Sequence, residues 1–418
     1  MSEYVERLLE GALAEQLAWS GAVVIDGPKA VGKTETAKRC TRSQAFLDTD
    51  LALRQLALAD PQLVLAGEAP RLLDEWQTVP ALWNAVRHEV DRRRAKGQFV
   101  LTGSASPSDD VTRHTGTGRF SWLRMYPLTM TETGHASGEV SLRGLLDGVP
   151  PRSADVLGSF SGVVERLIAG GWPASMDLPL VGAARYARGY LDQIARVDVA
   201  AAGPVQHDPV KVASLLRSLA RTSASEASMR TLAGDAGGAA GPLHPDTVAR
   251  YLEALQRIFV LEVQEAWGPA LRTRTPLRES PKRHLVDSSL ACAALRVSSV
   301  DRLLKDPETL GILFESFAVQ QLRAYAALQG AEVKHLRSKS GLEIDAIIQR
   351  DDGVWGAFEI KLGSGRIDEG AASLKRLLAV VDTDSTGAPA IAAVLVPTGP
   401  SYVRPDGIGV VALASLGP

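Results

Sequence analysis

Cysteine is nearly absent from this chain, with only Cys40 and Cys292 in 418 residues. Two thiols so far apart in sequence make neither a disulfide framework nor a metal-thiolate cluster, which suits a reducing cytosol. Both are read as small core residues. Net charge is nearly absent as well: 46 Lys and Arg face 48 Asp and Glu, leaving -2. That balance excludes a global pull toward nucleic acid or an acidic membrane, so any such contact has to come from a local basic surface. No apolar run approaches the ~18 residues of a membrane span. The first twenty residues carry Glu3, Glu6, Glu10 and Glu15, where a signal peptide needs basic and then apolar residues. Val5, Leu9, Leu13 and Leu17 recur every four residues instead, which predicts an amphipathic helix packed on the domain that follows. A cytoplasmic protein without membrane contact is expected.

What remains is ordinary globular material, 45% hydrophobic and 22% charged. A chain of this length exceeds one ordinary core, so two or three domains are expected. The run Gly21-Ala-Val-Val-Ile-Asp26 has the continuous apolar character of a buried parallel strand. It leads directly into Gly27-Pro28-Lys29-Ala30-Val31-Gly32-Lys33-Thr34, followed by a helix-forming stretch through Cys40. Strand, glycine loop and helix are the context a P-loop requires. The glycines let backbone N–H groups turn inward around phosphate oxygens, and the helix N-terminus adds its positive end. Gly27, Pro28, Ala30, Val31 and Gly32 are thus expected to cradle ATP, with Lys33 on its terminal phosphates and Thr34 on Mg²⁺.

The acids such a site needs follow at Arg71-Leu-Leu-Asp74-Glu75. Asp74 is placed as a Mg²⁺ ligand, and Glu75 as the group that polarises the attacking water, which favours hydrolysis over transfer to a small molecule. Gln98-Phe-Val-Leu-Thr102-Gly-Ser104 reads as another core strand, whose end puts Thr102 or Ser104 beside the terminal phosphate. Arg119, at the end of the glycine-rich stretch from His114, is the candidate arginine finger, with Arg124 in reserve; a solvent-facing loop arginine is the plain alternative. A finger acting in trans would require a homo-oligomer.

The succession GPKAVGKT, LLDEWQ, LTGSA, GTGR and YPLTMTE resembles the AAA-type ATPases that carry a C-terminal DUF4143 region. Gly170-Gly-Trp-Pro173 and the helix from Tyr190 to Asp198 extend the likeness over most of the chain. The resemblance implies a P-loop ATPase and gives architecture rather than purpose. Arg119 departs from it in sitting among extra glycines.

Beyond Glu132 the stretch Thr133 to Asp155 is rich in Gly, Ser and Pro, a domain boundary. Val163 to Ile168 and Ala183 to Val199 have helical periodicity, as do Val212, Leu215, Leu216 and Leu219. Ser223 to Leu243 contains the glycine-rich run expected to form a flexible insertion. A helix starting at Pro245 or Asp246, with Val248, Leu252 and Leu255 on its apolar stripe, precedes a strand-like run from Ile258 to Val263. Helix, turn, helix and strand suggest a winged helix, with Thr247, Arg250 and Arg257 available to DNA, or a protein-docking module of the same shape.

The C-terminal part carries a second constellation. Glu315 is an acid on an apolar helix. Glu332 to Arg337, Gly341 to Ile348 and Val354 to Lys361 alternate as strands. Glu359 and Lys361 share a face, and a neighbouring strand would bring Asp345 alongside. Two carboxylates and an ammonium in that arrangement suit Mg²⁺-dependent phosphodiester hydrolysis, with Glu315 completing the metal shell and Lys361 steadying charge. Lys334, His335, Arg337 and Lys339 are basic groups for DNA phosphates. This order resembles the PD-(D/E)xK nuclease superfamily. Glu343 is read as a solvent-facing neighbour, and Asp287 as a helix cap.

The expected fold class is α/β: a P-loop AAA-type ATPase domain over 1–140, a helical and winged-helix section over 141–300, and a PD-(D/E)xK-like α/β domain over 301–418. Three functions fit these residues. The preferred one is an ATP-gated enzyme acting on DNA through a Mg²⁺-dependent nuclease-like site. The others are an ATP switch with an inert nuclease-like domain, and a regulatory or antitoxin-like ATPase whose partner is a protein.

Overall fold

The computed structural model describes residues 4–104, 116–154, 158–201, 208–238, 241–269, 277 and 279–418. His114 and Thr115 of the glycine-rich stretch, Asp155 and residues 239–240 lie outside them. Helix α1 (Leu9–Trp19) starts later than the four-residue repeat suggested, because Tyr4 to Arg7 run non-helically and bury the Arg7 side chain. Next come β1 (Ala22–Asp26), α2 (Lys33–Arg39), β2 (Ser43–Phe46), α3 (Leu51–Ala59), β3 (Arg71–Asp74), α4 (Leu82–Arg93), β4 (Phe99–Gly103) and β5 (Phe120–Arg124). The five strands form a parallel sheet in the order β2-β3-β4-β1-β5. Burial on both faces explains their continuous apolar runs. Val23, Ile25, Leu72 and Val100 point into one core, whereas Val24, Leu73, Phe99 and Leu101 point into another with Trp76 and Trp83. Because the strands are parallel, the ends of β1, β3 and β4 gather at one edge.

The next segment contains β6 (Val140–Ser141), α5 (Leu142–Leu146), α6 (Phe160–Ala169), α7 (Leu180–Gln193), a π-turn at Ile194–Asp198, α8 (Val199–Ala201) and α9 (Pro209–Arg221). It continues through α10 (Met229–Gly237), α11 (Pro245–Arg257), β7 (Leu261–Gln264), β8 (Lys282–Leu285), α12 (Ser288–Ala294) and α13 (Val300–Leu304). The glycine-rich run expected to be an insertion begins inside helix α10, which takes in Gly234 to Gly237. Ser228 caps it, and burial of Leu232, Ala233 and Ala236 overrides the glycine penalty. Three helices, α9 to α11, precede the antiparallel pair β7–β8. Arg250 is exposed on α11, but Asp246, Glu253 and Gln256 are exposed there too, so its outer face is mixed in charge.

The last segment is α14 (Pro307–Ala327), β9 (Ala331–Arg337), β10 (Glu343–Arg350), β11 (Trp355–Ile360), α15 (Ile367–Val380), α16 (Thr383–Thr386), β12 (Ile391–Val396), β13 (Tyr402–Val403), β14 (Gly409–Ala412) and β15 (Leu416–Gly417). Six of its strands form a mixed sheet, β13-β14-β12-β11-β10-β9. The chain end returns to the supposed linker: β15 pairs with β6, and Arg350 binds Asp147 at 2.6 Å. Residues 140–147 therefore pack with the C-terminal sheet rather than with the helices after them. Phe358 and Ile360 join the same continuous core as Val23, Ile25 and the buried faces of the middle helices. No helix among the described residues is long and apolar enough to cross a membrane.

Candidate active site

At the C-terminal edge of the parallel sheet the chain turns from β1 into the glycine loop. Gly27 has φ +145°, and a Cβ there would lie 2.3 Å from the Met125 carbonyl oxygen, so a side chain is excluded. Gly32, at φ +99°, opens α2 in the left-handed region. Lys33 is 5% exposed, and its Nζ donates to the Gly27 and Pro28 carbonyls at 2.9 and 2.7 Å. Burial pushes its ammonium down to about 8, although Glu75, Asp26 and Asp74 act to raise it.

Asp74 lies at the end of β3, in register with Thr102 on β4. Its Oδ1 accepts from Thr34 Oγ1 at 2.8 Å and from Thr102 Oγ1 at 2.5 Å. Burial raises the Asp74 carboxyl, and the two hydroxyls oppose that shift. Glu75 follows in a left-handed conformation, φ 52°, which re-aims its side chain off the strand. Its carboxylate accepts from Ser104 Oγ at 2.9 and 3.1 Å and from Gln77 Nε2. Thr102 and Ser104 thus divide the work: one holds the first acid, the other the second. Thr34 and Asp74 form a hydroxyl–carboxylate pair fit to hold Mg²⁺, and the loop with Lys33 suits the phosphates of ATP.

Arg119 stands elsewhere. It precedes β5, whose Phe120 is in register with Ala22, so five strand steps of ~3.3 Å separate it from the loop edge, roughly 16 Å. It pairs with Asp91 at 3.0 Å on the surface. It does not reach the phosphate loop of its own chain, and a finger role would need a second copy. The reserve residue, Arg124, is at the loop edge: its Nε lies 2.5 Å from Asp26 Oδ1.

Several residues around the loop were not singled out from sequence. Arg7 donates to the Val31 and Tyr126 carbonyls at 2.6 and 2.7 Å and pairs with Glu132 at 2.7 Å. Lys29 pairs with Asp198 at 2.6 Å, and Tyr190 Oη donates to the Lys29 carbonyl. Asp198 closes the π-turn, the kind of helix irregularity that re-aims a side chain. Arg124 also pairs with Glu262 of β7 at 3.1 Å, and Glu262 in turn pairs with Arg323 of α14 at 3.2 Å. A chain of ion pairs therefore runs from the residue before Gly27 to the C-terminal segment. Charges at these spacings are invisible in sequence, since 236 to 297 residues separate Asp26 from Glu262 and Arg323.

The C-terminal acids do converge. The antiparallel register of β10 and β11, Ala346 with Phe358, sets Asp345 opposite Glu359. Lys361 Nζ is 2.5 Å from Glu359 and 3.7 Å from Asp345, and Ile360 N–H donates to Asp345 at 2.8 Å. The unforeseen member is Lys282 of β8, 1% exposed. Its Nζ lies 2.8 Å from Glu315, 3.1 Å from Glu343 and 3.8 Å from Asp345. Burial alone would lower the Lys282 ammonium, but these three carboxylates hold it above the ordinary lysine value. Burial, with repulsion from Asp345, pushes Glu315 up to about 7 and Glu359 up to about 8. Among the described residues no group of three His, Cys, Asp or Glu is disposed to hold a metal ion. The expected ligand set Glu315, Asp345 and Glu359 does not fit Mg²⁺ as arranged, because an ammonium lies among the carboxylates. Glu343 is not a bystander but one of the Lys282 partners. Asp287 caps α12 through the Ser289 N–H at 2.9 Å, as its position suggested, and also accepts from Gly171 N–H at 3.0 Å.

Comparison with known proteins matches three segments. Residues 20–134 match an AAA domain model, residues 161–301 a domain of unknown function, DUF8612, and residues 310–416 another, DUF4143. Uncharacterized proteins of Mycobacterium bovis and Mycobacterium tuberculosis are each 25% identical over 344 residues, 81% of this chain and 70% of theirs. The Walker-type ATPase of Pyrococcus abyssi superposes with a TM-score of 0.42 at 12% identity, over 70% of this chain and 96% of that one. The chain carries an AAA-type ATPase domain and a C-terminal DUF4143 region.

Proposed function

We propose that this protein is an ATP-hydrolysing switch whose nucleotide state is read by its C-terminal segment. The observation that carries the hydrolytic half is the sharing of Asp74 Oδ1 by Thr34 and Thr102, with Glu75 held beside it by Ser104. In this role the loop from Gly27 to Gly32 and Lys33 bind and orient the phosphates. Thr34 and Asp74 hold Mg²⁺, which supplies charge neutralisation when bound. Glu75 accepts a proton from, or orients, the attacking water, and Thr102 holds Asp74 pointed at the site. The ion chain Asp26–Arg124–Glu262–Arg323 supports the switch half, because a charge arriving at the loop perturbs its first member directly.

A second function, metal-dependent cleavage of DNA, is favoured by the convergence of Asp345, Glu359 and Lys361 on adjoining strands. The placement of Lys282 argues for the switch instead. Mg²⁺-dependent release of phosphate from ATP, compared between the native chain and Asp74→Asn, tests the first function. Turnover that survives Asp74→Asn undiminished would remove it. Labelled single strands, duplexes, forks and four-way junctions, incubated with Mg²⁺ or Mn²⁺ and with or without ATP, test the second. Cleavage lost in Asp345→Ala would establish it, and none is expected. The partner read by the switch, DNA or a protein, is sought by retention on each in the ATP-bound Glu75→Gln form.

A further inference from the structure

The β7–β8 pair is stitched to the C-terminal segment by buried polar groups. His284, 3% exposed, shares hydrogen bonds with Ser316 Oγ at 3.0 Å and with Gln264 Oε1 at 2.9 Å. Gln264 Nε2 donates to the Lys334 and Asp345 carbonyls at 3.0 and 2.9 Å. Gln264 is in register with Lys282, so these bonds fix the strand from which the lysine projects. Lys282 belongs to the segment before α14, while Glu315, Glu343 and Asp345 lie on α14 and β10. The cation therefore comes from one part of the chain and the acids from another.

We infer that Lys282 is a resident cation that takes the place of a metal ion in the C-terminal carboxylate cluster and keeps divalent cations out of it. Three features of the cluster converge on this. The ammonium is buried, it makes ion pairs to three carboxylates at once, and the opposite side of Asp345 is already engaged by Lys361 and the Ile360 N–H. A lysine in such a place stays because three acids repel one another without it. Arg337 lies 3.8 Å from Glu343, and Lys361 serves Glu359 and the other oxygen of Asp345, so without Lys282 the Glu315 carboxylate would lose its cation. A divalent ion and this ammonium compete for the same oxygens, so only one can be present. The contact is self-inhibitory for metal chemistry: withdrawing β8 would free Glu315, Glu343 and the Asp345 oxygen that faces Lys282 to bind a divalent ion. This holds whether or not the nucleotide site hydrolyses ATP.

Mn²⁺ binding to the full-length chain, followed by the free-ion electron paramagnetic resonance signal without nucleotide, tests it. Every protein carries Asp74→Asn, which removes the loop's own metal ligand. The Lys282-containing protein is expected to bind no Mn²⁺ that Asp345→Asn abolishes. Lys282→Met is expected to gain one site, at least tenfold tighter than any in its parent, that disappears in Lys282→Met/Asp345→Asn. Lys282→Arg, which keeps a positive charge, is expected to gain none. Asp345-dependent Mn²⁺ binding in the Lys282-containing protein would overturn the inference, even should Lys282→Met fail to fold. A folded Lys282→Met that gains no site would overturn it as well. ATP turnover measured in proteins that retain Asp74 reports separately on the nucleotide site.

Discussion

Replacing Lys33 by Met isolates what a buried ammonium does to this fold. Lys33 is 5% exposed, and burial brings its ammonium from 10.5 to about 8. The folded value lies below the unfolded one, so the unfolded chain holds the extra proton between pH 8 and 10.5. The charge therefore costs stability in full below about pH 8, and that cost fades as pH rises toward 10.5. At 1.36 kcal/mol per pH unit the cost at pH 7 is about 3 kcal/mol. Lys33→Met removes it but leaves the Gly27 and Pro28 carbonyls without their donor, roughly 1 kcal/mol each. The net expectation at pH 7 is a variant about 1 kcal/mol more stable than the native chain, where most buried replacements lose stability. At pH 10.5 the order reverses, because the neutral amine still donates to both carbonyls. The relative swing of about 3 kcal/mol is divided by an unfolding entropy of about 2.1 cal/mol/K per residue. For 418 residues that amounts to about 3 °C in Tm. Scanning calorimetry from pH 7 to 10.5, with and without ATP, is the assay. ATP should raise the Tm of the native chain only. Its affinity should weaken above pH 8, by at most about tenfold per pH unit, as Lys33 loses its charge. Parallel Tm curves for the two proteins, or an ATP-induced shift in Lys33→Met, would refute the reasoning.

Three further outcomes are expected. Glu75→Gln should keep ATP binding but lower the single-turnover hydrolysis rate by about 10² to 10⁴, the usual worth of a positioned base; a change under threefold would remove Glu75 from that role. Arg119→Ala should leave turnover per chain unchanged in dilute solution, since Arg119 sits on the sheet edge away from the loop; a concentration-dependent loss would instead show a second copy supplying it. Gly27→Ala should weaken nucleotide binding more than tenfold, because its Cβ would meet the Met125 carbonyl at 2.3 Å; unchanged affinity in an equilibrium binding titration would show that the loop can shift without loss.

The glycine loop is local in sequence, which is why its conformation could be read there. Gly27 to Thr34 is one turn of loop, and its glycine spacing reports backbone geometry directly. Asp74, Thr102 and Ser104 were legible because a parallel sheet brings successive strand ends to one edge. Adjacency to glycines says nothing about which edge of the sheet Arg119 occupies; the register of β5 with β1 decided that, and it sets Arg119 away from the loop of its own chain. The glycine-rich stretch before Leu243 misled in part. Composition suggested a loop throughout, but three buried apolar side chains at helical spacing carry α10 as far as Gly237.

By itself the sequence determined what depends on near neighbours: the alternation of buried strands, the phosphate loop, the capping Asp287, and the two acids after β3. The pairing of Asp345 with Glu359 was also within its reach, since strands of fixed period set side chains on predictable faces. Tertiary structure alone decided which charges meet across long loops. Arg7 on the loop carbonyls, Asp198 on Lys29, and Arg124 between Asp26 and Glu262 are all of this kind. So is Lys282, which carries no motif and lies 33 residues before its first partner. Ion pairs leave no period or spacing in a chain, because the fold closes the distance between them and burial makes each one matter.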